Sequence, residues 1–263
     1  MATSTSSERR VIGSLQRAFD ILDLFSASSP ELGVTEIAQK LSLHKSTASG
    51  LVYTLEANRY LEQNPENRKY RLGLKLMERA SVLIKQLEIR QIALPYLIEL
   101  RDWSGESVNL AIRDGAEVVY IERMVSDQGL SFQNFVGKRG WVHSTALGKA
   151  MLAQLPTQDA EELLKSYKLE VITEHTLDDV ADVMADLELT RKRGFALDDQ
   201  ENELGGRCVS AAIFNHLNQP IAAVSVSVPL PRIPKNRIAY YGDKVKEVAG
   251  QISSRLGHDF VDA

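Results

Sequence analysis

Several side chains in the C-terminal half of the chain could bind or react with a small molecule. Ser225 and Ser227 stand two residues apart in the run IAAVSVSV, so both hydroxyls point to one face of a predicted strand. Asp198 opens the acidic run DDQENE, and Cys208 begins the run CVSAAIF. Each of these residues also has a structural interpretation. The serines could lie on the solvated face of a sheet, and Asp198 could lie in a solvated loop. Cys208 could be a small buried residue of the core.

Two other kinds of chemistry can be weighed against a simple binding site. The acidic run lacks the ligand spacing of a calcium loop, and we expect neither a metal nor a cofactor. A cysteine-dependent enzyme would use Cys208 as nucleophile, His143 as base and Asp198 as the orienting carboxylate. Because Cys208 lies in a predicted strand, and not at an exposed turn or helix N-terminus that stabilises a thiolate, we favour a binding protein over an enzyme.

A second set of polar side chains lies on one predicted helix near the N-terminus, over residues 44–57. Its apolar residues recur at helical spacing on one face, at Ala48, Leu51, Val52 and Leu55. The other face and its flanks carry short or polar residues: Lys45, Ser46, Thr47, Ser49, Gly50 and Tyr53. This composition suits a helix inserted into the DNA major groove, and it also fits the solvated face of a three-helix bundle.

The elements around this helix indicate a winged helix-turn-helix. A first helix carries an apolar stripe at Leu15, Ala18, Phe19, Leu22 and Phe25. Thr35 is predicted to cap a short second helix, and Ser42-Leu43 makes the turn into the third. Strands at 60–62 and 70–72 flank the loop QNPENRK, with Arg68 and Lys69 near its tip.

The N-terminal region is slightly basic, whereas the remainder is acidic. Residues 1–80 carry 11 Lys and Arg against 9 Asp and Glu, and residues 81–263 have a net charge of −6. This difference in net charge suits an N-terminal domain that binds double-stranded operator DNA, followed by an acidic C-terminal domain. The candidate DNA contacts are Arg9, Arg10, Arg17, Thr35, His44, Lys45, Ser46, Thr47, Ser49, Tyr53, Arg68 and Lys69.

The rest of the chain predicts an α+β domain that encloses a small ligand. Two β-rich runs flank Asp114-Gly115, a strong hairpin signal, and residues 130–136 predict a further strand. Helices are predicted over 145–155, 157–167, 176–194 and 234–256, with a second hairpin at 208–214 and 221–228. No apolar run approaches the roughly 18 residues that span a bilayer, and the single cysteine excludes an internal disulfide. We therefore expect a cytoplasmic protein with no membrane partner.

The stretch VTEIAQKLSLHKSTASGLVYTLEANRYLEQNPENRKYRLGLKL resembles the winged helix-turn-helix of the IclR family of bacterial transcriptional regulators. The resemblance continues through VHSTALGKAMLAQL, DDQENELGGRCVSAAIF and IAAVSVSV, covering about residues 10–256 in the family's order. The resemblance implies a GAF-like effector-binding domain and assembly as homodimers or dimers of dimers. It also implies control of a catabolic operon, most often as a repressor that a small carboxylate or aromatic effector releases from DNA. An activator is the alternative.

The resemblance also implies where the effector binds. The family's pocket matches Ala146, Leu147, Asp198, Cys208, Ser225 and Ser227. Backbone N–H groups at the start of the predicted 144–154 helix favour an anion, and the serine hydroxyls can complete its hydrogen bonds. Phe132, Phe135 and Trp141 lead into that helix, and we expect some of these rings to line the pocket and favour a flat ligand, although ordinary core packing accounts for them equally well.

One residue departs from the family pattern. Family members commonly carry an arginine in the middle of the recognition helix, where this chain has Gly50. Tyr53, Lys45 or the N-terminal arm must then contribute more of the DNA contacts. The predicted organisation is a flexible arm over 1–10 within a DNA-binding domain over 1–73, a linker helix over 74–92, and an effector-binding domain over 93–263.

Overall fold

The computed structural model describes residues 12–128, 132 and 134–258, with the backbone alone at 84–86. The chain divides into two compact units, and the boundary falls between Gln86 and Leu87. The predicted linker region 74–92 contains the whole of one helix, over Lys75–Gln86, and the start of another at Glu88, with Leu87 between them. No helix in the described part of the chain is long and apolar enough to cross a membrane.

The N-terminal unit contains helices and a two-stranded sheet. Its elements are α1 (Gly13–Asp23), α2 (Val34–Lys40), α3 (Lys45–Ala57), β1 (Leu61–Gln63), β2 (Tyr70–Leu72) and α4 (Lys75–Gln86). The turn between α2 and α3 is closed by a hydrogen bond from the Leu43 N–H to the Ala38 carbonyl, and Ser42 takes a left-handed φ of 52°. Strands β1 and β2 pair antiparallel, so that a winged helix-turn-helix is formed as predicted.

The buried face of α1 differs from the predicted apolar stripe. Ile21 is fully buried, whereas Leu15 and Phe19 are each 52% exposed. At 100° per residue, Ile21 lies on the side of the stripe marked by Ala18 and Phe25, away from Leu15 and Phe19. The apolar surface of α1 is therefore broader than the face that the rest of the unit covers.

The predicted cap of α2 is wrong by two residues. Gly33 occupies the N-cap position, and Thr35 is an exposed residue of the first turn. The Glu36 carboxylate accepts a hydrogen bond of 2.7 Å from the Gly33 N–H, which satisfies a free amide before the helix. A carboxylate three residues into the helix thus bonds the backbone of the N-cap residue.

The C-terminal unit is an antiparallel sheet with helices on both faces. Its elements are α5 (Glu88–Ser104), β3 (Ser107–Asp114), β4 (Glu117–Met124), β5 (Arg139–Trp141), α6 (Ala146–Leu152), α7 (Thr157–Lys165), α8 (Val180–Arg193), β6 (Ala196–Asp199), β7 (Gly206–Phe214), β8 (Pro220–Pro229) and α9 (Ile238–Arg255). The strand order is β5-β4-β3-β8-β7-β6. Helices α5 and α9 pack on one face, and α6 packs on the other together with α8.

Alternation along β8 gives the two faces different chemistry. Val224 and Val226 are fully buried in the core shared with α5 and α9. Ser225 and Ser227 point to the opposite face, toward α6, and they are also buried. The sheet is thus covered on both sides, and the solvated face that the serine spacing allowed is not present.

The strand predicted over 130–136 is absent from its described residues. Phe132 and 134–136 lie in no strand, and 130, 131 and 133 lie outside the described residues. The carbonyls of Phe132 and Asn134 accept hydrogen bonds from the Arg123 guanidinium, and not from a neighbouring strand. The edge strand next to β4 is instead β5, which pairs with it from Glu117 to Val119.

Candidate functional site

The polar side of α3 is open to solvent, while its apolar side holds the helix in the N-terminal unit. Ala48 and Val52 are buried, and Leu51 and Leu55 are half-buried against the same core. The candidate DNA contacts at the start and on the outer face of α3 are all exposed: His44, Lys45, Ser46, Thr47, Ser49 and Tyr53. Tyr53 is 70% exposed. The helix can therefore present hydroxyls, a cation and a phenol to a groove without unfolding.

Gly50 leaves the helix backbone uncovered in the middle of this exposed surface. A Cβ added at Gly50 would meet no atom within 4 Å. The Thr54 hydroxyl donates to the Gly50 carbonyl at 2.8 Å, so the helix is regular through this position. The structure gives no packing reason for glycine here, and the absence of a long side chain allows a close approach to the helix backbone.

The two basic residues of the wing have different surroundings. Arg68 is exposed on the loop between β1 and β2, with a left-handed φ of 60°. The Lys69 ammonium lies 3.2 Å from the Glu36 carboxylate of α2, so part of its charge is already compensated. Arg17 and Thr35 are exposed on α1 and α2, and Arg9 and Arg10 lie outside the described residues.

A small cavity lies on the polar face of the sheet in the C-terminal unit. Its wall is formed by Tyr120, Phe132, Asn134, Thr145, Ala146, Leu147, Asp198, Asn202, Glu203, Gly206, Cys208, Ser225 and Ser227. Seven of the eight candidate effector residues belong to this wall. The eighth, Trp141, lies outside it: its ring stacks on Tyr167 at 5.4 Å, and its Nε1 donates to the Glu170 carboxylate at 3.0 Å.

Asp198 is a buried titratable group of the cavity wall. Its Oδ1 accepts from the N–H groups of Glu201 at 2.8 Å and Asn202 at 3.3 Å. Burial, with the nearby Glu201 carboxylate, raises the pKa of Asp198 to about 7. Near neutral pH this side chain can therefore either donate or accept a hydrogen bond at the cavity.

The chain matches two family models, and together they cover most of its length. The IclR helix-turn-helix domain matches residues 14–65, and the bacterial transcriptional regulator IclR C-terminal domain matches residues 81–254. The chain belongs to the IclR family. The resemblance seen in the sequence is thereby confirmed, as is the α+β architecture of a winged helix-turn-helix followed by an IclR effector domain.

IclR-family relatives match along nearly the whole chain. The regulator XynR of Escherichia coli is 38% identical over 248 residues, which cover 94% of this chain and 98% of XynR. The transcriptional repressor IclR of Escherichia coli is 30% identical, covering 97% and 94%. The chain is thus a ligand-responsive, DNA-binding transcriptional regulator, as predicted, and its helix-turn-helix makes DNA its partner.

Solved structures of IclR proteins share the fold. The Thermotoga maritima IclR structure has a TM-score of 0.79 and 34% identity, over 94% of this chain and 99% of that one. An IclR homologue from Microbacterium hydrocarbonoxydans complexed with 4-hydroxybenzoate has a TM-score of 0.78 and 25% identity, covering 92% and 98%. That homologue carries a small aromatic carboxylate.

The surroundings of Cys208 do not match those of a catalytic nucleophile. Burial, and then the carboxyl group of Asp198, raise the pKa of the Cys208 thiol. The two ring nitrogens of His143 face the Tyr167 hydroxyl at 3.3 Å and the Glu170 carbonyl at 3.1 Å, not the thiol. XynR and the IclR repressor are transcriptional regulators, and they give no support to the cysteine-enzyme alternative.

Sequence reasoning missed several buried polar residues of this IclR domain, among them Asn109 and Lys149. Asn109, in the middle of β3, donates from Nδ2 to the hydroxyls of Ser225 and Ser227. Lys149 of α6 is fully buried, and its ammonium lies 2.6 Å from Glu201 and 2.8 Å from Asp186. A lone asparagine in the apolar run SVNLAIR was a usable signal, because a polar residue in a doubly covered strand needs a partner. In the described residues no group of three or more His, Cys, Asp or Glu side chains is arranged to hold a metal ion.

Proposed function

We propose that this protein is a cytoplasmic, homodimeric repressor of a catabolic operon, released from its operator by a small carboxylate effector. The cavity is the observation that carries the proposal, because hydroxyl, thiol and carboxyl groups converge on its wall. The complex of the Microbacterium homologue with 4-hydroxybenzoate supports this class.

In the proposal, α3 lies in the major groove and the wing follows the neighbouring phosphates. The exposed positions of Lys45, Tyr53 and Arg68 support this assignment. Arg9, Arg10 and Arg17 add contacts from the arm and the first helix, and residues 74–92 link the DNA-binding domain over 1–73 to the effector domain over 93–263. The remaining proposed contacts are Thr35, His44, Ser46, Thr47, Ser49 and Lys69.

Self-association is supported by apolar residues that the N-terminal unit leaves uncovered. Ile12, Leu15 and Phe19 are exposed at the start of α1, and Met77 and Leu83 are exposed on α4. Exposed apolar surface of this extent on one small unit is typical of a protein interface. Two copies would present two α3 helices to half-sites about one or more helical turns, on the order of 34 Å, apart.

The DNA half of the proposal is tested by titrating a fluorescent promoter fragment with the full chain at several salt concentrations. Lys45→Ala is expected to weaken binding and to reduce the log–log salt slope by about 0.9 for each phosphate that the variant no longer neutralises. Lys168→Ala removes the same charge from an exposed position of the C-terminal unit and is expected to change neither quantity. No binding by the wild type at low salt would contradict the assignment.

The effector half is tested with the same fragment and a panel of aromatic and short aliphatic hydroxy and keto acids. A repressor of the proposed kind binds its effector more tightly when free than when on DNA, so the effector weakens DNA binding. An effector that strengthens DNA binding would instead favour an activator or a co-repressed regulator. Cys208→Ser is expected to keep DNA binding, as required if the thiol is not catalytic.

A further inference from the structure

Asn109 lies behind the cavity, between the two serines on one side and an arginine on the other. It is fully buried in β3, directly opposite Ser225 of β8 and Arg123 of β4. Its Nδ2 lies 3.4 Å from the Ser225 hydroxyl and 3.1 Å from the Ser227 hydroxyl. Asn109 is not itself part of the cavity wall, but both serines that its amide contacts are.

The amide nitrogen of Asn109, and not its amide oxygen, faces the two serines. Asn109 Oδ1 is buried and has no hydrogen-bond partner among the described residues. The reversed amide would instead place Oδ1 against the serines and leave their hydroxyls to donate to it.

This orientation decides which atom Ser227 offers to the cavity. Its oxygen accepts from Asn109 Nδ2 and from the Cys208 thiol, whose Sγ lies 3.2 Å away. A hydroxyl oxygen has two lone pairs and one hydrogen, so both acceptor positions are occupied and the hydrogen remains. Ser227 lines the cavity, and its hydroxyl is left to donate there. Ser225 accepts from the same amide and also lines the cavity.

We propose that Asn109 is a positioning residue that holds the hydroxyls of Ser225 and Ser227 as hydrogen-bond donors to the cavity, so that this wall selects the acceptor end of the effector. The inference rests on the proposed function, in which the serines hold the carboxylate end of the effector, and it adds the residue that orients them. The carboxyl groups of Asp198 and Glu203, elsewhere on the same wall, are then left for the end of the effector that carries a hydroxyl.

The test compares two matched pairs of probes by calorimetry: 4-hydroxybenzoate with 4-hydroxybenzamide, and glycolate with glycolamide. Each pair exchanges a group that only accepts for one that also donates. The wild type is expected to prefer the carboxylate in each pair. Asn109→Leu removes the amide and is expected to weaken carboxylate binding by about tenfold, the factor for one hydrogen bond to a charged group.

Asn109→Asp is the decisive variant because it keeps the size of the side chain and reverses its hydrogen bonding. Its carboxylate accepts from the serines, turns their lone pairs to the cavity, and should shift the preference toward the amide probe. Ser210→Ala is the control, since Ser210 is buried in β7 and its hydroxyl donates to the Val224 carbonyl without lining the cavity. This variant is expected to lose stability and keep the carboxylate preference.

Each outcome separates this inference from the function on which it rests. An unchanged carboxylate preference in Asn109→Asp would overturn the role of Asn109 and leave the effector class intact. A wild type that prefers the amides, or that binds none of the four probes, would overturn this inference together with the carboxylate class. Binding to the promoter fragment, measured without effector, would still test the DNA assignment by itself.

Discussion

Removing the buried charge of Lys149 should destabilise the C-terminal unit strongly. The ammonium is fully buried between Glu201 at 2.6 Å and Asp186 at 2.8 Å, and these carboxylates raise its pKa although burial opposes them. Lys149→Met keeps most of the side-chain volume, so the main loss is electrostatic. Breaking one side of a buried ion pair costs about 3–5 kcal/mol, because the partner charges stay buried without compensation.

The pH dependence identifies this mechanism. Lys149 lowers the pKa of Glu201 and of Asp198, so its removal raises both further above their values in the unfolded chain. A carboxyl group whose pKa is raised on folding makes the folded chain hold more protons, and the free energy of unfolding then falls as pH rises. The loss in Lys149→Met should therefore be larger at pH 8 than at pH 5.

Tryptophan fluorescence during urea unfolding measures this unit selectively. The only two tryptophans of the chain, Trp103 and Trp141, both belong to the C-terminal unit. Lys165→Met is the matched control, because Lys165 is exposed and pairs with Glu161 at i,i+4. Its expected cost is under about 0.5 kcal/mol.

Two results would refute the reasoning. A loss in Lys149→Met as small as that of Lys165→Met would show that the buried charges do not need compensation. A large loss that is equal at pH 5 and pH 8 would assign the cost to packing. Adding Glu201→Gln and Asp186→Asn to Lys149→Met should recover much of the stability, because the repelling carboxylates are then gone.

Two further predictions concern the DNA-binding helix and the cavity. Gly50→Ala should stabilise α3 by about 0.5–1 kcal/mol, because alanine loses less backbone entropy on folding and its Cβ meets no atom within 4 Å. Hydrogen exchange of α3 peptides measures the change in helix stability. Unchanged or faster exchange in the variant would contradict the prediction. Carboxylate affinity should fall as pH rises through about 7, because Asp198 then loses its proton and repels the anion. Calorimetry from pH 6 to 8 measures the fall, and Asp198→Asn should abolish it; a pH dependence that survives in Asp198→Asn would exclude this carboxyl as its source.

The strongly periodic helices and strands could be predicted from the sequence. The buried face of α1 and the N-cap of α2 could not. Period and turn residues were sufficient to predict α3 and the β3–β4 hairpin, because each follows from local signals. The buried face of α1 was misjudged, since apolar residues extend around Leu15 and Phe19 beyond the face that the unit covers. The cap of α2 depends on a carboxylate three residues inside the helix, which no rule about Thr35 could anticipate.

The cavity residues that match the family pattern could be predicted from the sequence. The buried residues whose partners are distant in the sequence could not. Lys149 and Asn109 were missed because their partners lie 37 or more residues away in sequence, and no periodicity links them. Trp141 was expected at the cavity on proximity to α6 alone. Its stacking on Tyr167 is a tertiary contact that the spacing did not specify.

The distribution of polar residues on the sheet argues for a ligand on one face in particular. Helices cover both faces, so burial alone would favour apolar side chains on each. The face toward α5 and α9 follows this rule along β8, with Val224, Val226 and Val228 fully buried. The face toward α6 instead buries Ser225 and Ser227 at the cavity. Buried hydroxyls must be hydrogen-bonded to be tolerated, and residues that only had to fill this space would be valines here too. Asn109 supplies one partner of each serine hydroxyl, and in the proposed function a polar group of the effector supplies another.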